Sequence, residues 1–154
     1  MSAAYILHTD GGARGNPGPA GAGIVLRDPN GAVVCEGGRY LGEVTNNVAE
    51  YEALIWGLET AIAHGARRLV VKADSELVVK QMKGQYRVKH PGLKPLYERA
   101  LSAVSTVGTV EFVHVRRDQN KDADDLANRA MDARGVVGSA VWPACDGGQG
   151  TLFE

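Results

Sequence analysis

Residues 5–19 read YILHTDGGARGNPGP. Tyr5–Asp10 reads as a first strand, begun by the apolar run Tyr5-Ile6-Leu7 and broken by the glycines and prolines from Gly11 to Pro19, which exclude a helix after it. Asp10 is the odd member. Aspartate has poor strand propensity and, inside a strand, no turn or cap to serve, and a carboxylate in a buried strand needs something to compensate its charge. Outward from this stretch, Gly21–Arg27 reads as a second strand, Asp28-Pro29-Asn30-Gly31 as a turn and Ala32–Tyr40 as a third strand. Short links join antiparallel neighbours, so these three are expected to form a meander.

Beyond it, Thr45-Asn46-Asn47 offers side-chain acceptors to free helix N–H groups, and Glu50 stands three after Asn47 as in a capping box. Tyr51, Leu54, Ile55, Leu58 and Ile62 recur at helical spacing up to Gly65. Leu69-Val70-Val71 is a short buried strand closing at Asp74, with Ser75 placed to cap a second helix. A third helix spans Leu93 to about Ser105, Val110–Val115 is a fifth strand, and Asn120 is placed to cap a last helix burying Ala123, Leu126, Ala127, Ala130 and Met131. The order βββαβααβα implies an α/β fold. Its sheet is mixed and five-stranded, three antiparallel strands then two parallel, with helices on both faces. The folded domain is expected over residues 1–135 and a flexible tail over 136–154.

Composition narrows the class. The chain has 154 residues, a net charge of -1 and a pI near 6.4, so a nucleic-acid substrate would have to meet a local patch or bound metal rather than a globally basic surface. Cys35 and Cys145 are too few and too isolated for a disulfide framework or zinc site, which fits a reducing cytoplasmic setting. No run is long enough to span a membrane.

Four acids fall at meaningful points of this layout: Asp10 on the first strand, Glu50 in a helix's first turn, Asp74 at a strand end and Asp124 in the last helix's first turn. Taken singly, Glu50 and Asp124 also read as first-turn helix charges, and Asp74 as a turn former. If the fourth strand pairs in parallel with the first, Asp10 and Asp74 emerge side by side, at the kind of crevice where open α/β sheets bind ligands. Carboxylates crowded there raise one another's pKa unless divalent cations intervene. An all-oxygen set suits Mg²⁺ or Mn²⁺ rather than zinc, and two such ions suit phosphodiester hydrolysis.

These residues resemble the type 1 ribonucleases H. The matching segments are HTDGGARGNPGPAGAG with Asp10, TNNVAEYEALIWGL with Glu50, ADSELVVKQM with Asp74 and NKDADDLANRAM with Asp124, collinear from about Tyr5 to Met131. The resemblance implies cleavage of the RNA strand of an RNA–DNA hybrid, leaving 5′-phosphate and 3′-hydroxyl ends. It makes Asp10, Glu50, Asp74 and Asp124 the ligands of two Mg²⁺ ions, with Mn²⁺ as substitute. It also places Asn16, Asn46 and Asn47 at the minor groove, where amides can read ribose 2′-hydroxyls, lets the backbone approach the hybrid closely at Gly15, and adds Ser75 as a further substrate-binding residue.

The chain departs from the family in three places. The stretch between the second and third helices carries Lys83, Arg87, Lys89, His90 and Lys94 but no tryptophan, as in the branch lacking a basic protrusion. The loop before Asp124 is expected to supply a histidine. His114 has the right separation but reads as strand, and Arg116 and Arg117 are the alternative phosphate contacts. Glu76 replaces a glutamine. Near the C-terminus Gln149, Leu152 and Phe153 resemble a sliding-clamp-binding peptide. A monomer is expected.

A nucleotide-binding reading of the glycine loop fails, because a strand rather than a helix follows it. A catalytically silent hybrid-binding module is the alternative. Its weakness is that all four acids are present while cations are sparse.

Overall fold

The computed structural model describes residues 3–139. Strands β1 (Tyr5–Ala13), β2 (Gly18–Arg27) and β3 (Val33–Val44) form the antiparallel meander, followed by α1 (Asn46–Ala63), β4 (Arg68–Ala73), α2 (Glu76–Met82), α3 (Lys94–Val107), β5 (Thr109–His114), a 3-10 turn (Arg117–Gln119), α4 (Lys121–Ala133) and β6 (Val136–Gly138). The sheet order is β5-β4-β1-β2-β3-β6, with β4 parallel to both β1 and β5. No helix among the described residues is long and apolar enough to cross a membrane.

Successive strand residues point to opposite faces, and this alternation assigns the helices. Leu7 and Thr9 face α1, which approaches so closely at Gly57 that a Cβ there would lie 2.8 Å from Leu7 Cδ2. Tyr51, Leu54, Ile55, Trp56 and Leu58 of α1 are buried against the sheet and α3, each such side chain contributing about 2 kcal/mol of burial. The opposite face carries α4 over Gly21, Gly23 and Gly38, where added Cβ atoms would strike the backbone of Ala127, Ala123 and Leu126 respectively. Asp10 pairs in register with Gly23, so its side chain lies on the α4 face. Ala123, Leu126, Ala127, Ala130 and Met131 form α4's buried side as their spacing predicts.

Four expectations are corrected. β1 does not stop at Asp10 but continues to Ala13. Gly11 lies under the backbone of Ala49, an approach that any side chain would block. The cap of α1 is Thr45, whose hydroxyl accepts the Val48 N–H at 3.3 Å, so the capping box from Asn47 does not form. Asn120 precedes α4 but its side chain makes no cap hydrogen bond. The sheet has six strands rather than five. Arg134 takes a left-handed conformation (φ 51°), the chain reverses, and Val136–Gly138 pairs antiparallel with Gly37–Arg39. Three residues are too few to show a strand period. Ser75 caps α2 as expected, accepting the Val78 N–H at 3.2 Å.

Candidate functional site

The parallel ladder between β1 and β4 ends at Thr9 and Ala73. One residue further, Asp10 and Asp74 project where the strands part. Glu50 arrives from the second turn of α1, because the helix starts at Asn46 rather than after Asn47, and the close approach of α1 to β1 at Gly11 is what brings this acid in. Carboxylate oxygens of Asp10, Glu50 and Asp74 lie within 4.8 Å of one another. Asp124 joins from α4 through side-chain contact with Asp10, and Arg117 Nη2 stands 3.6 Å from Asp124 Oδ1.

The electrostatics are those of a charge cluster without enough counter-charge. Burial first, then the Asp74 charge and the contact with Asp124, push the Asp10 carboxyl up to about 8. Burial, followed by Asp10 and Asp74, holds Glu50 well above the ordinary range, against the Gly11 N–H and Arg117. A divalent cation reverses both effects by supplying the missing charge. The donors are all oxygen, on three separate elements and close enough to converge on one ion, so the residues fit magnesium or manganese.

The acids open into a cavity of about 660 Å³. Its walls also carry His114, Arg116 and Arg117 on one side and Arg14, Asn46 and Asn128 on the other. His114, read from the sequence as a strand residue, is the last residue of β5, exposed beside Ala73. Gly15, Asn16, Asn47 and Ser75 do not line the cavity. Asn16 instead accepts the Asn46 N–H at 3.0 Å, while Asn46 Oδ1 accepts the Ala13 N–H at 2.8 Å. The amides thus tie the β1–β2 loop to the start of α1. Gln149, Leu152 and Phe153 lie outside the described residues.

Arg14 also lines the cavity, without a local sequence pattern that marks it. Its guanidinium meets Asp132 at 2.8 Å and Asn128 at 3.4 Å on α4. A cation inside the glycine loop was the available signal, but its nearness to α4 is set by a contact 114 residues away. A smaller cavity of about 240 Å³ is lined by His8, Arg27, Asp118, Gln119, Asn120, Lys121 and Asp122.

Residues 8–130 match the family model described as reverse transcriptase-like. The chain is 46% identical over 129 residues to the bifunctional protein Rv2228c of Mycobacterium tuberculosis, covering 83% of this chain and 35% of that protein. It is 43% identical over 123 residues to the ribonuclease HI of Halobacterium salinarum, covering 80% and 62%. The chain thus spans about a third to three-fifths of the length of these relatives. Among solved structures, LC11-RNase H1 in complex with an RNA/DNA hybrid superposes with a TM-score of 0.80 at 46% identity, covering 84% of this chain and 97% of that one.

Proposed function

The chain belongs to the ribonuclease H family, and from that premise we propose that it hydrolyses the RNA strand of RNA–DNA hybrids to leave 5′-phosphate and 3′-hydroxyl ends. One observation carries the reading. Asp10, Glu50 and Asp74 converge within 4.8 Å, joined by Asp124, in an open cavity edged by Arg14 on one side and Arg116 and Arg117 on the other. The relative solved with a hybrid supports the substrate class. The activity is proposed for this domain alone, since the Mycobacterium tuberculosis and Halobacterium salinarum relatives are longer than the chain.

Two Mg²⁺ ions, or Mn²⁺ in their place, held by Asp10, Glu50, Asp74 and Asp124 would supply water activation and leaving-group stabilisation. The protein's own groups do the rest. Arg117 neutralises part of the acidic cluster and, with Arg116 and Arg14, offers guanidinium donors to phosphates flanking the scissile one. His114 offers an imidazole at the cavity wall to carry a proton to the leaving oxygen. Asn16 and Asn46 hold the β1–β2 loop against α1, and their exposed amides, with Asn47 beside them, have the chemistry to recognise 2′-hydroxyls. Few cations stand between α2 and α3, so the hybrid is held by few phosphate contacts, with a shallow salt dependence.

The direct test incubates end-labelled RNA–DNA hybrid with Mg²⁺ or Mn²⁺ and compares wild type with Asp10→Asn. Metal-dependent cleavage of the RNA strand, lost in the variant and on adding chelator, is expected. Absence of cleavage, or an equally active variant, would defeat the proposal.

A further inference from the structure

Asn120 is 1% exposed, and its Nδ2 donates to the Thr9 carbonyl at 2.8 Å. It stands at the N-cap position of α4, where asparagine ordinarily accepts a helix N–H, yet makes no such bond. Its Oδ1 is buried without a hydrogen-bond partner. A buried amide that forgoes both its capping role and its acceptor's partner is poorly explained as packing or helix initiation. What its one donor does is join two particular places. Thr9 immediately precedes Asp10 and is the last β1 residue paired with β4. Asp124 lies one helical turn beyond Asn120, and its N–H donates to the Asn120 carbonyl at 3.1 Å.

We infer that Asn120 is a positioning residue that sets the separation of Asp10 and Asp124 by tying the start of α4 to the end of β1. The inference rests on the proposed metal-dependent function and deepens it. Other contacts at the start of α4 go elsewhere: Arg27 meets Asp122 at 3.0 Å through exposed or partly exposed side chains, Arg117 reaches Asp124 at 3.6 Å from the preceding 3-10 turn, and Ala123 packs on Gly23 of β2, whereas the Asn120 bond runs to β1 at the residue before Asp10. Outer groups that orient ligands typically change metal affinity by about 10–100-fold when removed.

The experiment compares Mn²⁺ binding by titration calorimetry, thermal unfolding, and kcat and KM on a hybrid for wild type, Asn120→Ser, Asn120→Ala and Leu126→Ala. Serine is a favoured cap but too short to reach Thr9, so it separates helix initiation from the tether. Leu126→Ala loosens α4 through its buried face without touching the tether. The expected result is Mn²⁺ affinity weakened about tenfold in both Asn120 variants, kcat reduced with KM nearly unchanged, and Mn²⁺ affinity unchanged in Leu126→Ala despite its lower unfolding temperature. Folded Asn120→Ser with wild-type affinity would overturn the inference, as would an equal loss in Leu126→Ala. If Asn120→Ala fails to fold, Asn120→Ser decides. A wild-type chain that neither binds Mn²⁺ nor cleaves hybrid would overturn the functional reading and this inference with it. A wild type that does both, matched by its Asn120 variants, would overturn the inference alone.

Discussion

Without metal, the acid cluster should make this chain less stable as pH rises, and Asp10→Asn should remove much of that dependence. Unit charges at the 4.8 Å limit that encloses Asp10, Glu50 and Asp74 repel by about 3 kcal/mol at an effective dielectric constant of ~20. Burial adds to this, and the Asp10 carboxyl moves from 3.8 up to about 8. Between those values the native state keeps a proton that the unfolded chain has released, so stability falls as pH rises through the window. From pH 5 to pH 8 the loss is about 4 kcal/mol at ~1.4 kcal/mol per pH unit, or about 10 °C of Tm for a chain of this size. His8 acts in the opposite sense. Burial, then Arg27 and Lys72, lower its pKa, so its contribution is lost as pH falls below the ordinary histidine value. His8 is present in both proteins and cancels, so comparing wild type with Asp10→Asn reads the Asp10 carboxyl together with the part of the Glu50 shift that Asp10 causes.

The assay is thermal unfolding followed by circular dichroism in chelator from pH 5 to pH 8. Wild type should lose about 10 °C more than the variant across that range, and the variant should be the more stable protein at pH 8. Saturating Mg²⁺ should flatten the wild-type profile. Parallel profiles for the two proteins in chelator would refute the reasoning.

Gly23→Ala should destabilise by at least 1–3 kcal/mol, about the cost of overpacking, because its Cβ would overlap the Ala123 carbonyl; denaturant unfolding measures this. His114→Ala should lower kcat about 100-fold with KM little changed, whereas Arg117→Ala should mainly raise KM; steady-state kinetics on one hybrid separates the two. Arg14→Gln should weaken hybrid binding and reduce the slope of log affinity against log salt by about 0.9, the value for one lost phosphate contact. An unchanged slope would mean that the Asp132 pair keeps Arg14 from the substrate.

Much of the architecture was legible in local chemistry. Tyr5-Ile6-Leu7 before a glycine loop, the helical spacing from Tyr51 to Ile62, and the apolar stripe from Ala123 to Met131 each report their element because period and turn residues are short-range signals. The four acids stood out for a related reason: Asp10 has no local duty, and the element order put Asp74 beside it. Other features depend on partners that no local pattern names. Gly11–Ala13 is strand because α1 lies against Gly11. Thr45 rather than Asn47 caps α1, while Asn46 is drawn to the Ala13 N–H. β6 exists through pairing with Gly37–Arg39, roughly a hundred residues earlier in the chain. Arg14 joins the cavity because α4 passes beside it, and Asn120 gives up its cap for the Thr9 carbonyl. The sequence by itself determined which elements form and which acids they carry. Only the tertiary structure decided which polar groups pair across the seams, since those choices turn on the separations left once α1 and α4 pack against the glycines of the sheet.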